Sequence, residues 1–273
     1  MKNKLYIFII YLFVGWPSAK SQTIDTLLLE LPVQSRFFTT DPLSNIYYIN
    51  EKQELIKYIT ESGRVFTYSN KQLGAPSWID AANPMKVLAL YPDFQTVVLL
   101  DSRMGQVALF RLLATTDGNS YLPVAACAQP EDDFFWIFDQ LSQRLVKLDE
   151  RGNKVAQSES FLQMFDFTVN HPQLYYYNQT LFLEDPTIGL MVFDRFGSFL
   201  TVLDIQTAAY LQITREHFIY PADSNLVQLQ RQLYGKNMYP LPVWPVTQAR
   251  VVSDRLFLGT PDRIRVYRLP IAE

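Results

Sequence analysis

The chain has two histidines and one cysteine among its 273 residues, and these scarcities exclude much chemistry. His171 stands in a turn-like Asn-His-Pro and His217 in a separate strand-like stretch. A histidine-rich zinc or copper site is therefore poorly supplied. A Ser-His-acid hydrolase would need one of these two as its base, and no G-x-S-x-G elbow accompanies them. There is no G-x-G-x-x-G, no Walker loop and no H-E-x-x-H. The single Cys127 cannot form a disulfide within the chain. Its apolar setting, PVAACA, reads as a small buried hydrophobe rather than a reactive or interchain thiol. No run of five like charges occurs and the formal net charge is -3. Nucleic acid and anionic membrane surfaces both call for clustered Lys and Arg, so neither is an expected partner. Outside the first residues, helical periodicity never persists.

The N-terminus has the three parts of a secretory signal. Lys2 and Lys4 precede an apolar run from Leu5 to Gly15, and Ala19-Lys20-Ser21 supplies a small-residue cleavage pattern before Gln22. The apolar part is roughly eleven residues against about twenty for a spanning helix, which argues for cleavage over a retained anchor. The expectation is a signal peptide over 1–21, a single mature domain over 22–273 and no membrane span. No cysteine stands at the new N-terminus, so a lipid-modified signal is excluded. An exported chain without disulfides fits a bacterial periplasm, with an extracellular location as the alternative.

What the chain does have is apolar and repetitive. Hydrophobic residues make up 48% of it, enough for a large core. The stretch Asp41 to Gly63, DPLSNIYYINEKQELIKYITESG, reads as turn, strand, hairpin, strand and glycine turn. Similar hairpins return in TVVLLDSRMGQVALFRL, FFWIFDQLSQRLVKLDERG, LFLEDPTIGLMVFDRFG and SDRLFLGTPDRIRVYRL. Hairpins recurring at intervals of tens of residues mark a repeat architecture. In the first, Tyr47 and Ile49 share one face while Tyr48 takes the other. Both faces are apolar, as in a sheet stacked on two sides.

The turns repeat too. Leu148-Asp149-x-x-Gly152 aligns with Phe193-Asp194-x-x-Gly197, and Tyr58 with Gly63 after one extra residue. A strand end, a turn-forming Asp and a glycine in the left-handed region make a mechanistic turn signal. Asp101 to Gly105 offers another. Asn50, Asp101, Asp139 and Glu184 end the preceding strands and read as turn caps.

Further blades open at Trp78 to Asp80 and Pro123 to Ala128. The fourth is read from Phe167 and Val169 onward, and the sixth from Ala249. The fifth is blurred: Ala208 to Ile213, His217 to Tyr220 and Leu226 to Leu229 are strands, followed by a proline-rich crossover, Asn237 to Pro245. Prolines cannot donate to a central ladder, so that segment is a loop or an edge. The count is about six blades, with five or seven also compatible. The last blade lacks one strand, and the first strand, Ile24 to Val33, lacks a partner. Pairing the two closes the ring and hides its edges. The fold class is all-β: a single β-propeller of about six blades, each of four antiparallel strands.

NIYYINEKQELIKYITESG, with the turns LDERG and FDRFG, resembles the NHL-type propeller repeat over most of the mature chain. A short exported chain with a Ser-Gln signal end and degenerate repeats also resembles envelope proteins of Bacteroidota. The resemblance implies a periplasmic scaffold or accessory of an outer-membrane secretion or transport complex. It implies no reaction.

Two other functions stay in view. A calcium-dependent propeller hydrolase or lactonase would gather oxygen ligands from several loops, with Asp80, Asp132, Asp133, Glu184 and Asp223 as candidates. The ordinary reading of these acids is solvated turn formers. A glycan-binding module would need exposed aromatics on one face, drawn from Trp78, Trp136, Trp244 and Tyr175 to Tyr177. Large aromatics in propellers more often wedge between blades. The preferred partner-binding segment is Tyr239, Pro240, Pro242, Trp244 and Pro245, because a rigid loop loses little entropy on docking. The leading expectation is a non-enzymatic protein-binding propeller with no cofactor and no metal.

Overall fold

A computed structural model of the chain describes residues 24, 26–115, 118–207, 209–233 and 235–269. The expected signal peptide, 1–21, lies outside the described residues. Among the described residues the strands form six four-stranded antiparallel blades, and the first strand, β1 (Leu27–Leu31), belongs to the last of them. Blade one holds β2 (Phe38–Thr40), β3 (Ile46–Ile49), β4 (Leu55–Tyr58) and β5 (Val65–Tyr68). Blade two holds β6 (Trp78–Asp80), β7 (Val87–Tyr91), β8 (Thr96–Leu100) and β9 (Gln106–Arg111). Blade three holds β10 (Pro123–Ala128), β11 (Phe135–Asp139), β12 (Arg144–Leu148) and β13 (Lys154–Gln157). After the short helix α1 (Phe161–Phe165), blade four holds β14 (Gln173–Tyr177), β15 (Thr180–Asp185), β16 (Gly189–Asp194) and β17 (Phe199–Leu203). Blade five holds β18 (Gln212–Ile213), β19 (His217–Ala222), β20 (Asn225–Gln230) and β21 (Lys236–Pro240). Blade six is β22 (Gln248–Val252), β23 (Arg255–Gly259), β24 (Ile264–Arg268) and β1. This is a six-bladed β-propeller.

The ring closes as the unpartnered first strand requires. β1 pairs antiparallel with β24, matching Leu29 to Val266, Glu30 to Arg265 and Leu31 to Ile264. Leu29 and Leu31 pack on Ile264 and Val266, while Glu30 accepts from Arg263 and Arg265 at 2.6 Å each. Apolar burial carries most of this closure; the exposed ion pairs add little beyond register.

Each strand faces two blades. Tyr47 and Leu55 pack with Val87, Ala89 and Tyr91 of blade two, whereas Ile46 and Tyr48 pack with Phe257 and Ile264 of blade six. The period of two thus divides the Asp41–Gly63 hairpin between two interfaces. Trp136 is fully buried between blades three and four, and Cys127 is buried beside it. The turns behave alike: Asp149 Oδ1 accepts from the N–H groups of Arg151 and Asn153, and Asp194 Oδ1 from those of Phe196 and Ser198. Gly152 and Gly197 take φ of 79° and 87°.

Four details depart from the sequence reading. In the Asp101 turn Met104, not Gly105, takes the left-handed position at φ 64°. Gly105 is needed for space, because a Cβ there would sit 2.9 Å from Asp101 Oδ2. Phe167 and Val169 belong to no strand; they pack in the core between blades three and four. Asn237 to Pro245 is not wholly a crossover: Asn237–Pro240 lies in β21, the outer strand of blade five, with Leu226 paired to Tyr239. Pro240 is tolerated there because an outer strand has a free edge. Finally, Asp185 rather than Glu184 caps its hairpin, accepting from the N–H of Thr187 at 2.9 Å.

Candidate functional site in the central channel

The first strands of the blades line the axis, and polar side chains on them latch one blade to the next. Asp80 Oδ2 accepts from Ala128 N at 2.9 Å, Tyr175 Oη from Leu211 N at 3.2 Å and Gln212 Oε1 from Val251 N at 2.7 Å. Gln248 Oε1 accepts from Phe38 N at 2.6 Å and so ties blade six to blade one. Each latch satisfies a backbone donor that the narrow axis leaves without a ladder partner.

Aromatic rings converge in the same channel. Trp78 stands 4.7 Å from Phe37, 5.5 Å from Tyr210 and 5.8 Å from Tyr175, centroid to centroid. These rings come from blades one, two, four and the approach to five. Trp78 and Leu174 border two cavities. The larger, about 640 Å³, is lined by the ends of the first strands, including Thr40, Asp80, Tyr177, Ile213 and Arg250. The smaller, about 320 Å³, is lined by their beginnings, including Ser77, Val124, His171 and Gln173.

Arg250 is the charged centre. It is 5% exposed, lines the larger cavity and donates through Nη1 to the carbonyls of Tyr210 and Ala249. Among the described residues it forms no ion pair. Burial pulls its pKa below the ordinary guanidinium value, while the field of Tyr175, Glu184, Tyr210 and Asp80 opposes that. Burial also raises the Asp80 carboxyl, against the N–H groups of Ala82 and Ala128 and the charge of Arg250. Glu184 is buried, and desolvation pushes it up to about 7, against the Tyr175 hydrogen bond and Arg250.

Tyr175 links Glu184 to Gln173. Tyr175 Oη lies 2.6 Å from Gln173 Oε1 and 2.8 Å from Glu184 Oε2. One hydroxyl proton cannot serve two acceptors at once. The tyrosine hydroxyl is therefore shared, donating to Glu184 Oε2 or to Gln173 Oε1. Among the described residues Glu184 Oε1 has no hydrogen-bond partner. A carboxyl poised near neutrality can exchange a proton, and buried groups of this kind concentrate at functional sites.

Of the five acids considered for calcium, only Asp80 and Glu184 share this environment. Asp132 accepts from the N–H of Phe134 and from Gln129, Asp133 pairs with Lys86 at 2.6 Å, and Asp223 stands in the β19–β20 turn. No three His, Cys, Asp or Glu side chains converge as a metal set among the described residues. The tryptophans form no common platform: Trp78 lines the channel, Trp136 is core and Trp244 is 53% exposed. Tyr175 lines the channel, Tyr176 is buried and Tyr177 lies under Arg231 at 5.6 Å. Along the preferred binding segment Tyr239, Leu241 and Val243 pack inward, while Pro240, Pro242, Trp244 and Pro245 are exposed. Sequence reasoning missed Arg250 and Tyr210. A lone arginine inside QARVV was the available signal for the first.

No protein-family model matches the sequence, and no curated protein matches it. Solved structures do resemble the fold. One is a streptogramin B lyase, 10% identical with a TM-score of 0.58, covering 90% of this chain and 97% of the other. Another is BamB from Moraxella catarrhalis, 13% identical with a TM-score of 0.48, covering 86% and 83%. At these identities the likeness is one of fold: the chain is a six-bladed β-propeller.

Proposed function

We propose that the chain is an exported, NHL-like propeller that works in the periplasm by binding a protein partner, as an accessory of an envelope complex, rather than by catalysis. The observation that carries this reading is the outer edge of blade four. β17, FLTVL, exposes its first four residues, and Leu200 is 57% exposed. Phe196, in the preceding turn, is 61% exposed. The outer strands β1, β9, β13 and β21 each carry a charged residue, and β5 exposes only Val65 and Thr67. Charges and prolines are the usual guards against strand addition, and β17 has neither. An extended partner segment can pair with this edge and bury Leu200 and Val202.

The exposed side of the Pro240–Pro245 segment, on the neighbouring blade, is a second proposed contact of the same partner. Export rests on the N-terminal signal pattern. Cross-linking the native protein in envelope fractions, followed by mass spectrometry, tests the reading. One stoichiometric protein partner is expected with the wild type. It should be lost from the Leu200→Lys/Val202→Lys variant at an unchanged melting temperature. Recovery of only the chain itself, alone or self-associated, would overturn the reading.

A further inference from the structure

The channel holds a feature that partner binding at the rim leaves unused. Arg250 is a buried cation with two hydrogen bonds, both from Nη1. Nε and Nη2 make none to the protein among the described residues, and the side chain borders the 640 Å³ cavity. Burying a guanidinium without a paired anion is costly, so folds seldom retain one without a use. Trp78 borders the same cavity with its ring, its Nε1 being buried away from the open space and without a hydrogen-bond partner among the described residues.

We propose that this cavity binds a small organic monoanion, its carboxylate held by Arg250 and its apolar body against Trp78 and the tyrosines of β14. The unspent Nε and Nη2 of Arg250 are donors, which selects a ligand with an acceptor group. Asp80 does not compete, because its oxygens already accept from Ala82 N and Ala128 N at 2.9 Å. A carboxylate matches the planar fork of arginine better than a cation or a neutral group. A single arginine beside two carboxyl groups suits one negative charge rather than several. The volume falls within the range of about 300–1,000 Å³ usual for small-molecule sites. Trp78, Tyr175 and Tyr177 supply the apolar wall.

Calorimetric titration of the mature chain with benzoate, and with neutral benzamide as its near-isostere, tests the proposal. Benzoate is expected to bind one to one, and benzamide about tenfold more weakly or worse, the scale of a lost charge-assisted contact. Arg250→Gln should abolish the preference, and Trp78→Phe, which removes part of the apolar wall, should weaken benzoate and benzamide alike severalfold. If Arg250→Gln does not fold, the benzamide comparison and Trp78→Phe still decide. Equal binding of the two ligands, an unchanged benzoate affinity in both variants, or no binding of benzoate overturns the proposal.

Discussion

Glu184 and Tyr175 meet across the first two strands of blade four, 2.8 Å apart, and the same tyrosine oxygen accepts from Leu211 N in blade five. The contact joins a buried carboxyl to a latch between blades. Its protonation state therefore bears on the ring.

The pH dependence follows from the direction of the shift. Glu184 is raised from the ordinary 4.5 to about 7, so the folded chain holds a proton that the unfolded chain releases. Its effect is absent below about pH 4.5, grows by about 1.4 kcal/mol per unit as pH rises, and is complete above about pH 7. The total destabilisation at alkaline pH is about 3 kcal/mol. Glu184→Gln should remove it, so the variant should be more stable than wild type at pH 8 and similar at pH 4.5. Denaturant titrations at both values check this; parallel pH profiles would contradict a raised carboxyl.

Gly197 packs against Trp136. A Cβ at this position would lie 3.0 Å from Trp136 Cη2, at a backbone φ of 87°. Gly197→Ala combines a left-handed penalty with a clash against a fully buried indole. It should cost about 1–3 kcal/mol in chemical denaturation. A neutral outcome would mean that the turn relaxes freely.

Asp139 holds the start of blade three. It is buried and accepts from Leu122 N, Ser142 N and the Ser142 hydroxyl. Asp139→Ala leaves these donors without their acceptor and should destabilise the fold by about 2–3 kcal/mol. Asp139→Asn keeps one acceptor oxygen and should cost less. The order of the two midpoints is the readout.

Closure depends on β1. Deleting residues 24–33 exposes the edge of β24 together with Val266 and Ile264. The shortened chain should self-associate in size-exclusion chromatography, and a peptide of the deleted sequence should restore the monomer. A stable monomer without the peptide would show that five complete blades and a three-stranded sixth suffice.

The hairpin signals in the sequence were enough for the architecture because they are local. Period-two alternation, Asp-x-x-Gly turns and an unmatched first strand each follow from a few neighbouring residues, and each has its counterpart in the ring. Blade five stayed blurred because its first strand is two residues long, Gln212–Ile213, held by Gln212 hydrogen bonds to Val251 rather than by a long ladder. The outer strand Lys236–Pro240 was hidden by its proline, which an outer edge accepts and an inner strand does not.

The candidate site was legible only in fragments. Asp80 and Glu184 read as two of five candidate calcium ligands, and Trp78 and Tyr175 as two of several candidate glycan-binding aromatics. Arg250 had no such reading. Sequence alone determined the class of fold, the blade-like repeat and the route of closure, because local patterning and turn chemistry specify them. The tertiary structure decided which polar groups share the axis. Closing the ring brings residues 37, 78, 175, 210 and 250 together from five blades, and burial, which no local pattern records, then shifts the pKa values of Tyr175, Tyr210 and Arg250.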